Sequence, residues 1–149
     1  MLPQGAVHQG LALKTSDLPE VDVKDFAIRA ENKGSSLLVM LDQVTDPHNV
    51  GAIIRSACAF GADGIIVQKK HAPSLDGVLA KTACGAVEHV PVAFETNLSR
   101  AIESLKQDGF FVFGLDERGA RTVSDIREHR PEKMVLVLGA EGPGIRHLV

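Results

Sequence analysis

Five short apolar runs, most of them separated from the next by a segment with helical spacing, constrain this chain more than any single residue does. They cover residues 37–41, 64–67, 90–94, 110–115 and 134–138. Runs of this length that do not alternate with polar residues belong to strands buried on both faces, the habit of parallel sheets. Parallel neighbours need a crossover, and the segments between the runs supply helices. Residues 50–60 place Val50, Ile53, Ile54 and Ala57 at helical spacing, with Gly61 as a stop. Residues 75–84 read as a second helix, and Thr96 or Asn97 caps a third that runs through Lys106 and ends at Gly109. The expectation is an α/β domain: a mostly parallel sheet, helices on both faces, right-handed crossovers. Ahead of this alternation, residues 7–13 read as one strand and residues 21–31 carry weaker helical spacing. In the polar stretch 116–133 a short strand or turn is expected near residues 122–126.

A chain of 149 residues is one domain with room for a real core. Its formal net charge of -3 argues against a general polyanion binder and leaves room for a local basic patch. Cys58 and Cys84, with no secretory signal, read as reduced thiols. No apolar run approaches the roughly 20 residues of a membrane span, so a soluble, cytoplasmic protein is expected. The six histidines show no metal-ligand spacing, and no metal is expected. Neither cysteine has a CxxC partner, and the Gly-x-Ser-x-Gly elbow of many hydrolases is absent.

Two segments carry the chemistry. The first, Asp46-Pro47-His48-Asn49-Val50-Gly51 with Arg55-Ser56-Ala57, follows the strand at 37–41. The second, Leu138-Gly139-Ala140-Glu141-Gly142-Pro143-Gly144, follows the strand at 134–138. Open parallel sheets bind ligands beyond the carboxyl ends of their strands, where both segments begin. Asp46 and Pro47 suit a helix opening, cap then first turn. Asp46 and Asn49 read equally well as mere caps. Asn49 and Arg55, six apart, do not share a helical face. They converge only if Asn49 precedes the regular helix or if the site crosses a subunit boundary. The glycines allow sharp turns and close backbone approach to a ligand such as an adenine or a carboxylate. Glu141 reads as a ligand contact, a support for the Arg55 guanidinium, or an exposed loop carboxylate. No G-x-G-x-x-G opens a helix after the first strand, and the Gly-Lys-Ser/Thr of a P-loop is missing. Lys69-Lys70-His71, at a strand end, reads as a solvated loop or as a phosphate contact.

Together and in this order, the two segments resemble the first two motifs of the SpoU or TrmH-type RNA ribose 2′-O-methyltransferases, within the SPOUT class. The intervening Ala83-Cys84-Gly85-Ala86-Val87-Glu88-His89-Val90-Pro91-Val92 is similar to the same family. Gly5-Ala6-Val7-His8-Gln9-Gly10 resembles the junction after a small RNA-binding domain, as in the 23S ribosomal RNA guanosine enzymes. The resemblance implies an α/β knot fold, a homodimer with its active site at the interface, RNA as substrate and S-adenosylmethionine as cofactor. It assigns Asn49, Arg55 and Glu141 to catalysis. It assigns Gly139, Ala140, Gly142 and Leu115 to cofactor binding. The family's third motif, which completes the knot and the cofactor pocket, does not occur in these residues. The expectation is therefore residues 1–20 as the tail of an upstream RNA-binding domain or linker, and residues 21–149 as a methyltransferase domain lacking its knot-completing segment, inactive alone. Three alternatives stand beside ribosomal RNA methylation: a transfer RNA substrate, a catalytically inactive RNA-binding or dimerisation module, and an unrelated nucleotide-binding domain.

Overall fold

The computed structural model describes residues 10, 11, 16, 18–70, 72–129, 131–147 and 149. The expected strand at 7–13 falls mostly outside them. The remaining chain runs α1 (Val23–Lys33), β1 (Ser36–Asp42), α2 (Pro47–Ala59), β2 (Gly64–Gln68), α3 (Gly77–Ala83), a 3-10 turn (Ala86–Glu88), β3 (Val92–Glu95), α4 (Leu98–Gln107), β4 (Phe111–Leu115), α5 (Val123–His129) and β5 (Lys133–Gly139). The five strands are all parallel, in the order β3-β2-β1-β5-β4. The expected α/β architecture is present, with central β1 paired to β2 on one side and to β5 on the other.

Alternation along the strands divides the core into two layers. Leu38 and Met40 of β1, with Val135 and Val137 of β5, pack with Phe26 and Ala30 of α1 and Leu98, Ile102 and Leu105 of α4. Val39 and Leu41 pack on the other face with Val50, Ile54 and Ala57 of α2 and Leu79 and Ala83 of α3. Local caps fix where the helices start. Asp22 and Asp25 form a capping box at α1, Asp46 accepts from the His48 N–H at α2, and Asn97 accepts from the Arg100 N–H at α4.

One expectation is corrected. Residues 122–126 form neither a strand nor a simple turn but the start of α5. The Asp125 carboxylate accepts the Thr122 N–H at 2.7 Å and the Asp125 N–H donates back to the Thr122 carbonyl at 3.0 Å, a reciprocal start signal. The helical cover on the α2–α3 side does not reach β4 and β5. Leu37, Leu115, Val123, Ile126, Met134 and Leu136 border an open apolar groove of about 510 Å³ there.

The rotation of α2 is set by Gly51. A Cβ at that position would lie 2.8 Å from the Leu79 carbonyl oxygen and 2.8 Å from Thr82 Cβ, so α2 and α3 touch almost backbone to backbone. Alanine would gain about 1 kcal/mol of helix propensity over glycine. Against that, overpacking on a backbone atom costs roughly 1–3 kcal/mol. Gly51→Ala is therefore expected to lower the unfolding free energy, read as a lower midpoint in denaturant with an unchanged slope. An unchanged or raised midpoint would show that α3 yields freely.

Candidate active site at the carboxyl rim

Register brings the two chemistry-bearing segments together. Asp42 pairs with Gly139 and Leu138 pairs with both Leu41 and Leu115, so β1, β5 and β4 end at one rim. The strand order reverses between β1 and β5, which opens a crevice at their carboxyl ends. The loop into α2 leaves from one side of that crevice and the glycine turn from the other.

Asn49 lies inside α2, third residue after the Asp46 cap, and is exposed. It does not sit in the preceding loop. Arg55 is also exposed, and its Nη1 lies 3.9 Å from the Cys84 sulfur at the end of α3. At 3.6 residues per turn, the two residues stand roughly 120° apart around the helix and about 9 Å apart along it. Gly51 marks the flank that faces α3. Arg55 lies roughly 40° from it, on the α3 flank, and Asn49 roughly 160° from it, on the flank toward β5. One copy of the chain thus separates Asn49 and Arg55, and among the described residues Arg55 makes no ion pair with Glu141.

Beyond β5 the chain folds back sharply. The Gly144 N–H donates to the Ala140 carbonyl at 2.9 Å, and both Gly142 (φ 87°) and Gly144 (φ 71°) occupy the left-handed region. A Cβ at Gly139 would overlap the Gly144 and Ile145 backbone, so only glycine fits there. The turn encloses a cavity of about 250 Å³ lined by Leu115, Asp116, Glu117, Arg118, Gly139, Ala140, Gly142 and Gly144. All four residues expected to hold a cofactor line this one cavity. Glu141 is exposed beside it and not in its lining. Arg118 hydrogen-bonds Asp116 through Nε and Nη2, both at 3.1 Å, and holds its carboxyl below the usual carboxylate range. The cavity therefore carries an ionised carboxylate at neutral pH.

The residue pair that anchors the turn escaped the sequence reading. Asp42, at the end of β1, is wholly buried. Its Oδ2 accepts the Arg146 backbone N–H at 2.8 Å, and its Oδ1 accepts Arg146 Nε at 2.8 Å with Nη2 at 2.6 Å. A buried carboxylate of this kind needs a cation and several donors, and Arg146 supplies both. The pair pins residues 140–146 across the end of β1. An acidic residue closing an all-apolar strand was the available signal, but nothing local names its partner.

The profile of the SpoU rRNA methylase family matches residues 36–149. An uncharacterized tRNA/rRNA methyltransferase of Synechocystis sp. is 38% identical over 147 residues, 97% of this chain and 37% of the relative. Another, from Mycobacterium avium, is 37% identical over 143 residues, 96% of this chain and 46% of the relative. The chain thus spans less than half the length of either relative. Among solved structures, the SpoU methyltransferase AviRb of Streptomyces viridochromogenes in complex with AdoMet superposes with a TM-score of 0.73 at 26% identity. That match covers 87% of this chain and 51% of the other.

Replacing Arg146 with alanine would leave the Asp42 carboxylate buried with the Arg146 backbone N–H as its remaining donor. Breaking a buried ion pair in this way costs roughly 3–5 kcal/mol. Part of Arg146 is exposed, so the lower end of that range is expected in chemical denaturation. A loss under about 0.5 kcal/mol, ordinary for a surface substitution, would mean that the pair does not anchor the turn.

Proposed function

The chain belongs to the SpoU rRNA methylase family, and on that premise we propose that it is the catalytic part of a cytoplasmic S-adenosylmethionine-dependent RNA methyltransferase that modifies a ribose 2′-hydroxyl. The substrate we infer is ribosomal RNA, at a guanosine of 23S RNA, with residues 1–20 as the tail of an upstream RNA-binding domain or linker. One observation carries the reading: Leu115, Gly139, Ala140 and Gly142 line a single cavity at the carboxyl ends of β4 and β5. The relatives' names, tRNA/rRNA methyltransferase, keep transfer RNA as the second reading.

The lining residues fit the cofactor's chemistry. Leu115 offers an apolar wall, the glycine turn offers backbone donors and acceptors at close range, and Glu117 suits a cationic ligand, Asp116 being paired with Arg118. When bound, S-adenosylmethionine supplies an electrophilic methyl group. The protein supplies position and electrostatics. Asn49 orients the ribose. Arg55 clamps the adjacent phosphate and stabilises the charge developing on the 2′-oxygen as that oxygen takes the methyl group and releases its proton to solvent water. A guanidinium with a pKa above about 12 is a poor general base, so the clamp is the role assigned. Glu141 supports this centre. Because one copy separates Asn49 and Arg55 around α2, they serve one nucleotide when a second copy brings its Arg55 to the cavity. This favours a homodimer, and the open apolar groove over β4 and β5 supports a further covering surface.

The test is transfer of labelled methyl groups to ribosomal and transfer RNA by a longer protein that carries these residues, followed by nucleoside analysis. A 2′-O-methyl nucleoside is expected. Arg55→Lys keeps the charge but loses the bidentate fork and is expected to cost about a hundredfold in rate. Methylation on a base, or full activity in Arg55→Lys, would overturn this reading. The cavity of about 250 Å³ is smaller than the roughly 300 Å³ at which ligand pockets usually begin. Calorimetry on these 149 residues alone is therefore expected to show weak cofactor binding and no turnover. Tight binding would refute this account of the pocket.

A further inference from the structure

Charge is arranged unevenly along the carboxyl rim. At the β4 end, Arg118 closes on Asp116 and its charge is spent inside the loop. At the β2 end, Lys69 and Lys70 are both exposed and enter no ion pair among the described residues. Their turn is held in place: the Lys69 N–H donates to the Glu95 carbonyl at 2.8 Å and the Ala72 N–H to the Lys69 carbonyl at 3.4 Å. Next to them, Gln43 follows β1 with φ 61°, one of two non-glycine residues at positive φ among those described. Backbone held in that region by a long side chain marks a position fixed by its surroundings. Gln43 Nε2 donates to Gln68 Oε1 at 3.2 Å, an amide bridge across the ends of β1 and β2. Among nearby acids, the exposed Glu20 lines a pocket together with Lys69 and forms no ion pair with it among the described residues. Asp46 is engaged as the cap of α2, and Glu95 lies one strand farther out, half-buried.

We propose that Lys69 and Lys70, with the Gln43–Gln68 bridge as a floor, bind the phosphate backbone of the RNA strand flanking the target ribose. The inference rests on the RNA methyltransferase reading and gives it a direction. The RNA crosses the rim over β2 and β1, passes the start of α2, and meets the methyl donor on the β5–β4 side. Two free ammonium groups attract phosphates and would repel a cationic donor. Glu117 at the β4 end, where Asp116 is paired with Arg118, has the opposite preference. Uncommitted donors and acceptors on the two amides add hydrogen bonds to sugar or phosphate without demanding a particular base.

The experiment is fluorescence anisotropy of a labelled single-stranded oligoribonucleotide with the whole chain across a salt series, without cofactor. Each phosphate contact to a single strand contributes roughly 0.7 to the slope of log affinity against log salt. Lys69→Gln/Lys70→Gln is expected to lower that slope by about 1.4 and to weaken binding several-fold at low salt. Arg29→Gln/Lys106→Gln removes the same charge from the second halves of α1 and α4 and is expected to leave the slope unchanged. Equal slopes for the wild type and Lys69→Gln/Lys70→Gln would overturn the proposal while leaving the functional reading intact. So would an equal drop in both double variants, since net charge alone would then explain it. Absence of RNA binding by the wild type would instead count against the functional reading itself.

Discussion

Pairing of β1 with β5 is the contact on which everything else at the rim depends. The two strands run side by side from Ser36–Lys133 to Asp42–Gly139, though about a hundred residues of chain separate them. Closing a loop of that length costs roughly 4 kcal/mol beyond a constant. Fully burying one large aliphatic side chain returns about 1.5–3 kcal/mol. Leu38, Met40 and Leu41 of β1 and Val135 and Val137 of β5 are all buried in the adjoining layers, so a few of them offset the closure. The apolar runs thus do more than define strands. They bring two distant polar loops to within one strand spacing of each other, and the crevice follows from that neighbourhood.

What apolar burial cannot do is choose the path of the chain beyond the strand ends. The Asp42–Arg146 pair does that. As a source of stability a buried ion pair is a poor bargain, because desolvation cancels most of the attraction and a well-packed apolar pair does as well. Its distinguishing feature is direction. Asp42 binds the backbone and the side chain of Arg146 at once, which fixes where residue 146 sits and therefore how residues 140–145 must turn. Gly139 is the counterpart of this constraint: with the chain drawn back across β1, no side chain fits beneath it. The cavity wall is thus set jointly by a glycine that makes room and a carboxylate that holds the turn in the room made.

Much of this was legible in the amino-acid sequence because its causes are local. Asp46-Pro47 reads as a helix opening whether or not the sheet is known, and so does Asn97. The apolar runs at β1, β2 and β5 read as buried strands because no polar residue interrupts them. Residues 122–126 misled because Val123 and Ile126 are compatible with a strand or a helix, and the reciprocal Thr122–Asp125 bonds decide for the helix. The Asp42–Arg146 pair was beyond reach for a different reason. Its partners are 104 residues apart, and they meet only once β5 has docked beside β1. Periodicity carries no information about such a meeting.

The arrangement around α2 sharpens the question of where catalysis is completed. Val50, Ile54 and Ala57 commit one face of the helix to the sheet, and Gly51 commits a neighbouring flank to α3. With both directions fixed, Asn49 and Arg55 have no freedom to rotate toward each other without unpacking the helix. A side chain as long as arginine spans about 7 Å, less than the separation of two residues roughly 120° and about 9 Å apart on a rigid cylinder once each points outward. The two groups therefore meet on a single nucleotide only if the substrate bridges them or a second copy supplies one of them. A packing glycine two residues from Asn49 thereby fixes which flank of α2 each group occupies.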